Sequence, residues 1–314
     1  MLEVKNLRKT YGGLVAVEGI SLQLGPGDIF GFIGPNGAGK TSTIKMIATL
    51  LRPTSGTALI DGIDVVQYPL EVRPLIGYMP DAFGVYDDIK VWEYLDFFAA
   101  AYRLRRDERT ATVDRVLEMT DLTEKRESYV QGLSRGMQQR LCLAKCLVHD
   151  PKVLLLDEPA SGLDPRARIA IKELIARLGG MGKTIIVSSH ILPELSDFCN
   201  RIGIMERSKL LIEGDVETIV RELQPTRQLL ITPLGGVHAT PPLRALLEET
   251  EGVEKVSLEN GDDGTLRVAF AGGLEEQAHL LRMLIENGQQ LCSFAETAMD
   301  LEDVFMRVTT GRVH

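Results

Sequence analysis

Apolar residues near the start of the chain alternate as in strands and then follow the period of a helix. Strand-like runs cover residues 2–9 and 14–24, and a third, residues 28–33, leads directly into a glycine-rich turn. After that turn, residues 40–51 carry apolar side chains at three- and four-residue intervals, which is typical of a helix with one buried face. The pattern therefore predicts a strand, a glycine turn and a helix in direct succession.

The middle of the chain changes from a helical to an α/β pattern. Residues 91–148 repeat apolar positions at helical spacing, which predicts an all-helical insert. Beyond it, residues 153–156 and 184–187 form two nearly continuous apolar runs, separated by a predicted helix at 165–178. Buried strands that alternate with helices are typical of a parallel α/β sheet.

A break near residues 224–226 separates this part from a second pattern. The remaining elements follow the order β-α-β-β-α-β of a split βαβ unit. Strands are predicted at 227–232, 253–259, 265–270 and 290–296, helices at 242–249 and 274–286, and a closing helix at 301–308. Because 314 residues are many for a single core, we predict two domains, residues 1–222 and 226–314.

Composition narrows the classes of partner. The formal net charge is −9 and no dense basic block occurs, so nucleic acid is not expected as a partner. No apolar run approaches the roughly 18 residues that cross a bilayer. The four cysteines lack zinc-type spacing and are expected to be ordinary reduced thiols. We therefore expect a cytoplasmic protein that reaches a membrane only through a partner.

The glycine-rich turn carries the first candidate chemistry. The pattern G-x-x-x-x-G-K-[ST] is matched by Gly34, Pro35, Asn36, Gly37, Ala38, Gly39, Lys40 and Thr41. Glycines let backbone N–H groups converge on phosphate oxygens, Lys40 reaches the β and γ phosphates, and Thr41 offers a hydroxyl to Mg²⁺. Ser42, the next residue, is also expected to bind the nucleotide. A plain glycine turn is the alternative, but the strand before the motif and the helix after it favour a P-loop.

Two acids follow the buried run at 153–156. Asp157 is placed to help hold Mg²⁺, and Glu158 to face the water that attacks a γ phosphate. Taken alone, two acids after an apolar strand are as typical of the end of a purely structural strand as of a catalytic site. Their occurrence after a P-loop favours the catalytic interpretation.

Residues 133–140, LSRGMQQR, begin a predicted helix, and in isolation Ser134 reads as its N-cap. Here the sequence resembles the ATP-binding cassette (ABC) family, whose LSGGQ signature lies between the P-loop and the second acidic motif. Arg135 stands in place of a glycine of that signature, and Met137 in place of the glutamine. A serine and a glycine at a helix start form an anion site, so Ser134 and Gly136 are expected to bind a γ phosphate presented by another subunit.

Further short motifs occur in the family's order over about residues 1–222. Tyr11 resembles the aromatic residue that stacks on adenine, Asp164 closes a stretch that resembles the D-loop at the dimer interface, and His190 resembles the switch histidine that touches the γ phosphate. Without the other motifs, Tyr11 would more often be an aromatic residue that only packs, Asp164 an acid in a turn, and His190 a histidine with a structural role. Their joint occurrence makes the resemblance specific.

Asp81 departs from the family pattern, which usually has a glutamine after this strand. That glutamine supplies an oxygen to Mg²⁺ and relays the nucleotide state to the membrane partner. A carboxylate is also a hard oxygen ligand, so metal contact can survive with an added negative charge. The alternative is that Asp81 is only a solvated loop acid.

The resemblance implies an α/β fold, with a P-loop NTPase core of the ABC type, an N-terminal antiparallel β section, a helical insert at about 91–148, and a small C-terminal α+β domain. It implies an ATPase with ATP and Mg²⁺ as cofactors and Glu158, His190 and Lys40 as catalytic residues. The expected partners are a separate integral-membrane permease and a second nucleotide-binding domain, identical or a sister, paired head to tail.

The resemblance also bears on the direction of transport and on the alternatives. Residues 299–306 resemble the tail of motors that serve bacterial exporters of drugs, antibiotics, polysaccharide or sodium, which favours export. A non-transport ATPase of the same family, acting as a conformational switch, is the main alternative. A small-molecule kinase or a GTPase is disfavoured, since neither needs the signature or the switch histidine.

Overall fold

The computed structural model describes residues 1–82, 84, 88–191, 194–195, 197–216, 218–219, 227–259 and 263–297. These residues divide into two compact units, Met1–Val216 and the described part of residues 217–308. The predicted domain break at 224–226, the closing helix at 301–308 and the exporter-like tail at 299–306 lie outside the described residues. The predicted domain limits stay a prediction.

An antiparallel sheet opens the first unit. It consists of β1 (Leu2–Tyr11), β2 (Leu14–Leu24), β4 (Ser55–Ile60) and β5 (Ile63–Asp64), in the order β2-β1-β4-β5. The two-residue alternation of the sequence becomes an alternation of buried and exposed side chains along the second half of β2. The predicted N-terminal antiparallel section is confirmed.

A second, mainly parallel sheet carries the glycine turn and both acids. Its strands are β3 (Ile29–Ile33), β6 (Ile76–Met79), β7 (Val153–Asp157), β8 (Thr184–Ser189), β9 (Arg201–Glu206) and β10 (Lys209–Asp215). The order is β10-β9-β3-β8-β7-β6, and only β10 runs antiparallel to its neighbour. Every residue of β3, β7 and β8 is buried, which explains their continuous apolar runs. The carboxyl ends of these strands share one edge, where ligands bind in α/β sheets.

Helices cover this sheet and form the predicted insert. They are α1 (Lys40–Ile47), α2 (Pro69–Val72), α3 (Val91–Ala101), α4 (Arg106–Met119), α5 (Arg135–Leu147) and α6 (Pro165–Gly180). Helices α3 to α5 confirm the helical character of residues 91–148. The prediction that α1 extends to Leu51 is wrong, because Thr49 takes a φ of 63° that a right-handed helix cannot continue.

The second unit has the predicted element order. It contains β11 (Arg227–Pro233), α7 (Thr240–Glu248), β12 (Val253–Leu258), β13 (Leu266–Phe270), α8 (Leu274–Glu286) and β14 (Leu291–Thr297). All pairings in its sheet are antiparallel, in the order β12-β13-β11-β14. A separate core forms between sheet and helices, built of residues such as Leu229, Ile231, Leu243, Leu247, Val268, Leu280 and Leu284. Within the described ranges, no helix combines the length and apolar character needed to cross a bilayer.

Candidate functional site

The glycine turn between β3 and α1 is packed so closely that two of its glycines have no room for a side chain. A Cβ on Gly34 would lie 2.2 Å from the carbonyl oxygen of Met205, and one on Gly39 would lie 2.5 Å from that of Ala16. Gly39 also has a φ of 106°, which side chains disfavour. The backbone itself therefore forms the wall of the turn, as a phosphate cradle requires.

Lys40 begins α1 and folds back over this turn. Its Nζ donates to the carbonyl oxygen of Gly34 at 2.6 Å and to that of Pro35 at 3.3 Å. Burial lowers the pKa of Lys40, and the nearby carboxylates of Glu158 and Asp157 oppose that shift. A buried ammonium held above backbone amides is suited to an anionic ligand such as a phosphate chain.

Asp157 ends β7 beneath the turn, buried and held by hydroxyl groups. Its Oδ1 accepts a hydrogen bond from Thr41 Oγ1 at 3.1 Å and one from Ser188 Oγ at 2.6 Å. The same Ser188 hydroxyl accepts from the backbone N–H of Glu158 at 3.0 Å. This arrangement gathers hydroxyl and carboxylate oxygens, the donor set that Mg²⁺ prefers.

Glu158 lies between a lysine and a histidine. Its Oε1 is 3.8 Å from Lys40 Nζ, and its Oε2 is 3.0 Å from His190 Nδ1. Burial raises the pKa of Glu158, while the hydrogen bond from His190 and the charge of Lys40 oppose that rise. A carboxylate with a raised pKa is suited to accept a proton from water.

A cleft of about 410 Å³ lies at the glycine turn, with Lys40 and Glu158 in its wall. It is lined by Tyr11, Leu14, Ala16, Asn36, Gly37, Ala38, Gly39, Lys40, Thr41, Ser42, Asp81, Glu158, Ser161 and His190. Tyr11 is half exposed at its edge, and Lys9 Nζ lies 5.0 Å from the centre of its ring. The structure thus places most of the predicted nucleotide-binding residues around one opening of ligand-binding size.

Six predicted residues do not line this cleft. Gly34 and Pro35 lie in the glycine turn and Asp157 at the end of β7, whereas Ser134, Gly136 and Asp164 lie at the starts of α5 and α6. Ser134 caps α5, its Oγ accepting from the backbone N–H of Met137 at 3.4 Å. Asp164 caps α6 with Oδ1. Gly136 faces Ala167, whose Cβ would be 2.7 Å from a Cβ on the glycine. The helix start that bears the LSRGMQQR motif therefore does not line the cleft of its own chain.

Two residues at the site were not assigned a role from the sequence. Ser188 pairs in register with Asp157 across β7 and β8, so a hydroxyl there meets the acid directly. Ser161 lines the cleft from the turn after Glu158. A polar residue at the end of an apolar strand could have drawn attention to Ser188. A single sequence does not show, however, that its strand pairs with the strand of Asp157.

Known proteins are similar to this chain in sequence and in fold. The ABC transporter family model matches residues 17–161. The Nod factor export ATP-binding protein I of Cupriavidus metallidurans is 35% identical over 247 residues, covering 74% of this chain and 81% of that protein. The linearmycin resistance ATP-binding protein LnrL of Bacillus subtilis is also 35% identical, covering 68% of this chain and 69% of that protein.

A solved structure agrees with these relatives. A dimeric ATP-binding cassette in a post-hydrolysis state, bound to ADP and Pi, superposes with a TM-score of 0.62 at 26% identity. The match covers 69% of this chain and 99% of the cassette.

Proposed function

The chain belongs to the ABC transporter family, as an ATP-binding and ATP-hydrolysing subunit, and we propose which of its residues bind and hydrolyse ATP and which partners it serves. The observation that carries the proposal is the position of the Glu158 carboxylate, which lines the cleft 3.8 Å from Lys40 Nζ and 3.0 Å from His190 Nδ1.

Residues 34–42 form the proposed binding site of the triphosphate. The turn leaves no space for side chains at Gly34 and Gly39, so its amides can approach phosphate oxygens directly. Lys40 would exchange its carbonyl contacts for the β and γ phosphates, which relieves the cost of burying its charge. Tyr11, exposed at the edge of the cleft, would stack on the adenine.

The hydroxyl and carboxylate oxygens beside the proposed phosphate site are suitable ligands for Mg²⁺. Thr41, Asp157 and Asp81 are the residues proposed to hold it, since the first two already share a hydrogen bond and Asp81 lines the same cleft. Bound there, the ion would offset the negative charge that gathers on the phosphate oxygens.

Glu158 is proposed as the general base. Its carboxylate accepts a proton from water while the water oxygen attacks the γ phosphorus, and the bond from that phosphorus to the bridging oxygen breaks to leave ADP. His190, whose ring is partly exposed, orients the carboxylate and can contact the γ phosphate. Ser188 fixes the backbone N–H of Glu158 and so the direction of its side chain.

A second cassette would complete each site. Ser134 and Gly136 lie at the start of α5 and do not line the cleft of their own chain. A head-to-tail pair places this helix start of one chain over the nucleotide of the other, with ATP between them. Asp164, at the start of α6, is proposed to lie at the same interface. The dimeric state of a similar cassette supports this arrangement.

We further propose that the dimer works on the cytoplasmic face of the membrane, attached to a separate permease, and that transport is outward. The names of the relatives, Nod factor export and linearmycin resistance, support export.

Phosphate release from ATP without any acceptor tests this proposal. The purified chain should release phosphate, Lys40→Ala should lose both nucleotide binding and release, and Lys45→Ala, which removes an exposed lysine from the same helix, should retain both. Phosphate transfer only in the presence of an acceptor would instead indicate a kinase.

A further inference from the structure

The turn that follows Glu158 is held in an unusual backbone conformation. Glu158 has a φ of 50°, in the left-handed region that a glutamate rarely adopts. The backbone N–H of Ser161 donates to the carbonyl oxygen of Glu158 at 3.1 Å and closes a tight turn. Such a conformation persists only where surrounding contacts over-determine it, and these contacts then control the direction of the side chain.

Helix α5 supplies two of these contacts from one of its faces. Gln139 is buried, and its Nε2 donates to the carbonyl oxygen of Pro159 at 2.5 Å. Arg135 lies four residues earlier, on the same face, and its Nη2 donates to the carbonyl oxygen of Ser161 at 3.5 Å. The helix that bears the LSRGMQQR motif therefore holds the backbone of this turn at two points, the carbonyl groups of Pro159 and Ser161.

Gly162 makes room for the arginine. It has a φ of 66°, and a Cβ placed on it would lie 2.5 Å from Nη2 and 2.7 Å from Cζ of Arg135. The guanidinium therefore lies directly over the Cα of Gly162 and covers the turn. Among the described residues, Arg135 has no carboxylate partner within ion-pair distance. Its side-chain contacts with the described residues are those with Ser161 and Gly162 of this turn.

We propose that Arg135, with Gln139 beneath it, is a positioning residue that fixes the Glu158 turn of its own chain. The side chain takes the place of a glycine in the family signature, so this chain has a contact between signature helix and catalytic turn that a glycine cannot make. Because the same helix start is proposed to bind the nucleotide of the partner chain, Arg135 links the two sites of a dimer: events at the signature reach Glu158 of the same chain.

Loss of Arg135 should affect catalysis rather than binding. The guanidinium does not line the cleft of its own chain, so the affinity of that cleft for ATP should change little when Arg135 is replaced. A misplaced base, however, costs turnover even when the displacement is small. The inference rests on the proposed role of Glu158 as general base.

The first measurement is steady-state hydrolysis by Arg135→Ala, Arg135→Lys and Arg166→Ala. Arg135→Ala should lower kcat about tenfold and leave KM for ATP within about twofold, and Arg135→Lys should recover part of the loss, since it can still donate to Ser161. Arg166 is the matched control, an exposed arginine in the first turn of α6 with no side-chain contact to this turn. An Arg135→Ala enzyme with unchanged kcat would overturn the inference.

The second measurement separates action in the same chain from action on the partner. A dimer of a Lys40→Ala chain and a Ser134→Glu chain has one intact composite site, formed by the P-loop of the Ser134→Glu chain and the signature of the other. Arg135→Ala should lower activity when added to the chain that gives the P-loop and Glu158, and not when added to the chain that gives the signature. Loss only in the second case would show that Arg135 acts on the partner's nucleotide and would contradict the positioning role.

Failure of the proposed function is distinguishable from failure of this inference. If a Glu158→Gln chain still hydrolyses ATP at the normal rate, Glu158 is not the general base, and the positioning role of Arg135 fails with it. A strong effect of Glu158→Gln with no effect of Arg135→Ala would remove the inference alone.

Discussion

Nδ1 of His190 lies 3.0 Å from Oε2 of Glu158 and joins the ends of two neighbouring parallel strands. Burial raises the pKa of Glu158, and the hydrogen bond from His190 is the largest effect that holds it down. The histidine therefore keeps the carboxylate ionised as well as oriented.

Replacement of His190 by alanine should shift the pH dependence of hydrolysis. A base works only when deprotonated, so activity is lost as the pH falls through the pKa of Glu158. Without the histidine that pKa rises further, and the acid limb of the kcat profile should move to higher pH, with kcat at neutral pH lowered roughly tenfold or more. An acid limb at the wild-type position would contradict this relationship.

Catalysis should be shared between chains. Lys40→Ala and Ser134→Glu proteins should each be inactive alone, and a mixture that exchanges subunits should recover partial activity, because mixed dimers contain one intact site. ATPase rate against mixing ratio is the measurement, with fluorescence energy transfer to report exchange. A mixture that exchanges and stays inactive would argue against the head-to-tail arrangement.

Asp81 should set the Mg²⁺ requirement. It lines the cleft, where a carboxylate replaces the neutral amide usual in the family. Asp81→Gln should hydrolyse ATP but need a higher Mg²⁺ concentration, and Asp81→Ala should lose most hydrolysis. Rates measured against Mg²⁺ for the three proteins decide the matter, since a solvated loop acid would give superimposable curves within about threefold.

The hydroxyl of Tyr78 should be dispensable for stability. It is buried and has no hydrogen-bond partner among the described residues, and burial, followed by the negative charges of Asp157 and Asp81, raises its pKa to about 12. Tyr78→Phe should therefore leave the free energy of unfolding unchanged or increase it by up to about 1 kcal/mol, measured by urea unfolding. A loss of similar size would reveal a partner for this hydroxyl.

The strands and helices that carry the site could be predicted from the sequence because their patterns are local. The runs that became β3, β7 and β8 are continuous because both faces of the sheet are covered, and α6 begins at a proline after a capping aspartate. Strands β9 and β10 were not predicted. β9 contains Gly203, where a Cβ would lie 2.6 Å from the ring of Phe30, a close approach that depends on strand pairing.

The site could be predicted as a set of residues but not as a set of contacts. P-loop and acids were recognisable because their types and spacing are fixed by phosphate and metal chemistry. The hydrogen bond from Ser188 to Asp157 and the position of Arg135 over Gly162 arise between segments 31 and 27 residues apart, and no periodicity encodes such pairings.

The turnover of Glu158→Gln tests the role of Glu158 in hydrolysis directly. The amide keeps the shape of the side chain but cannot accept the proton of water, so ATP binding should persist while hydrolysis falls at least about a hundredfold, and ATP-bound dimers should accumulate. Glu173→Gln, an exposed change on α6, serves as the control and should behave as wild type. Single-turnover ATP hydrolysis together with the oligomeric state in ATP gives both readings. Turnover of Glu158→Gln at the wild-type rate would contradict the assignment of Glu158 as the general base.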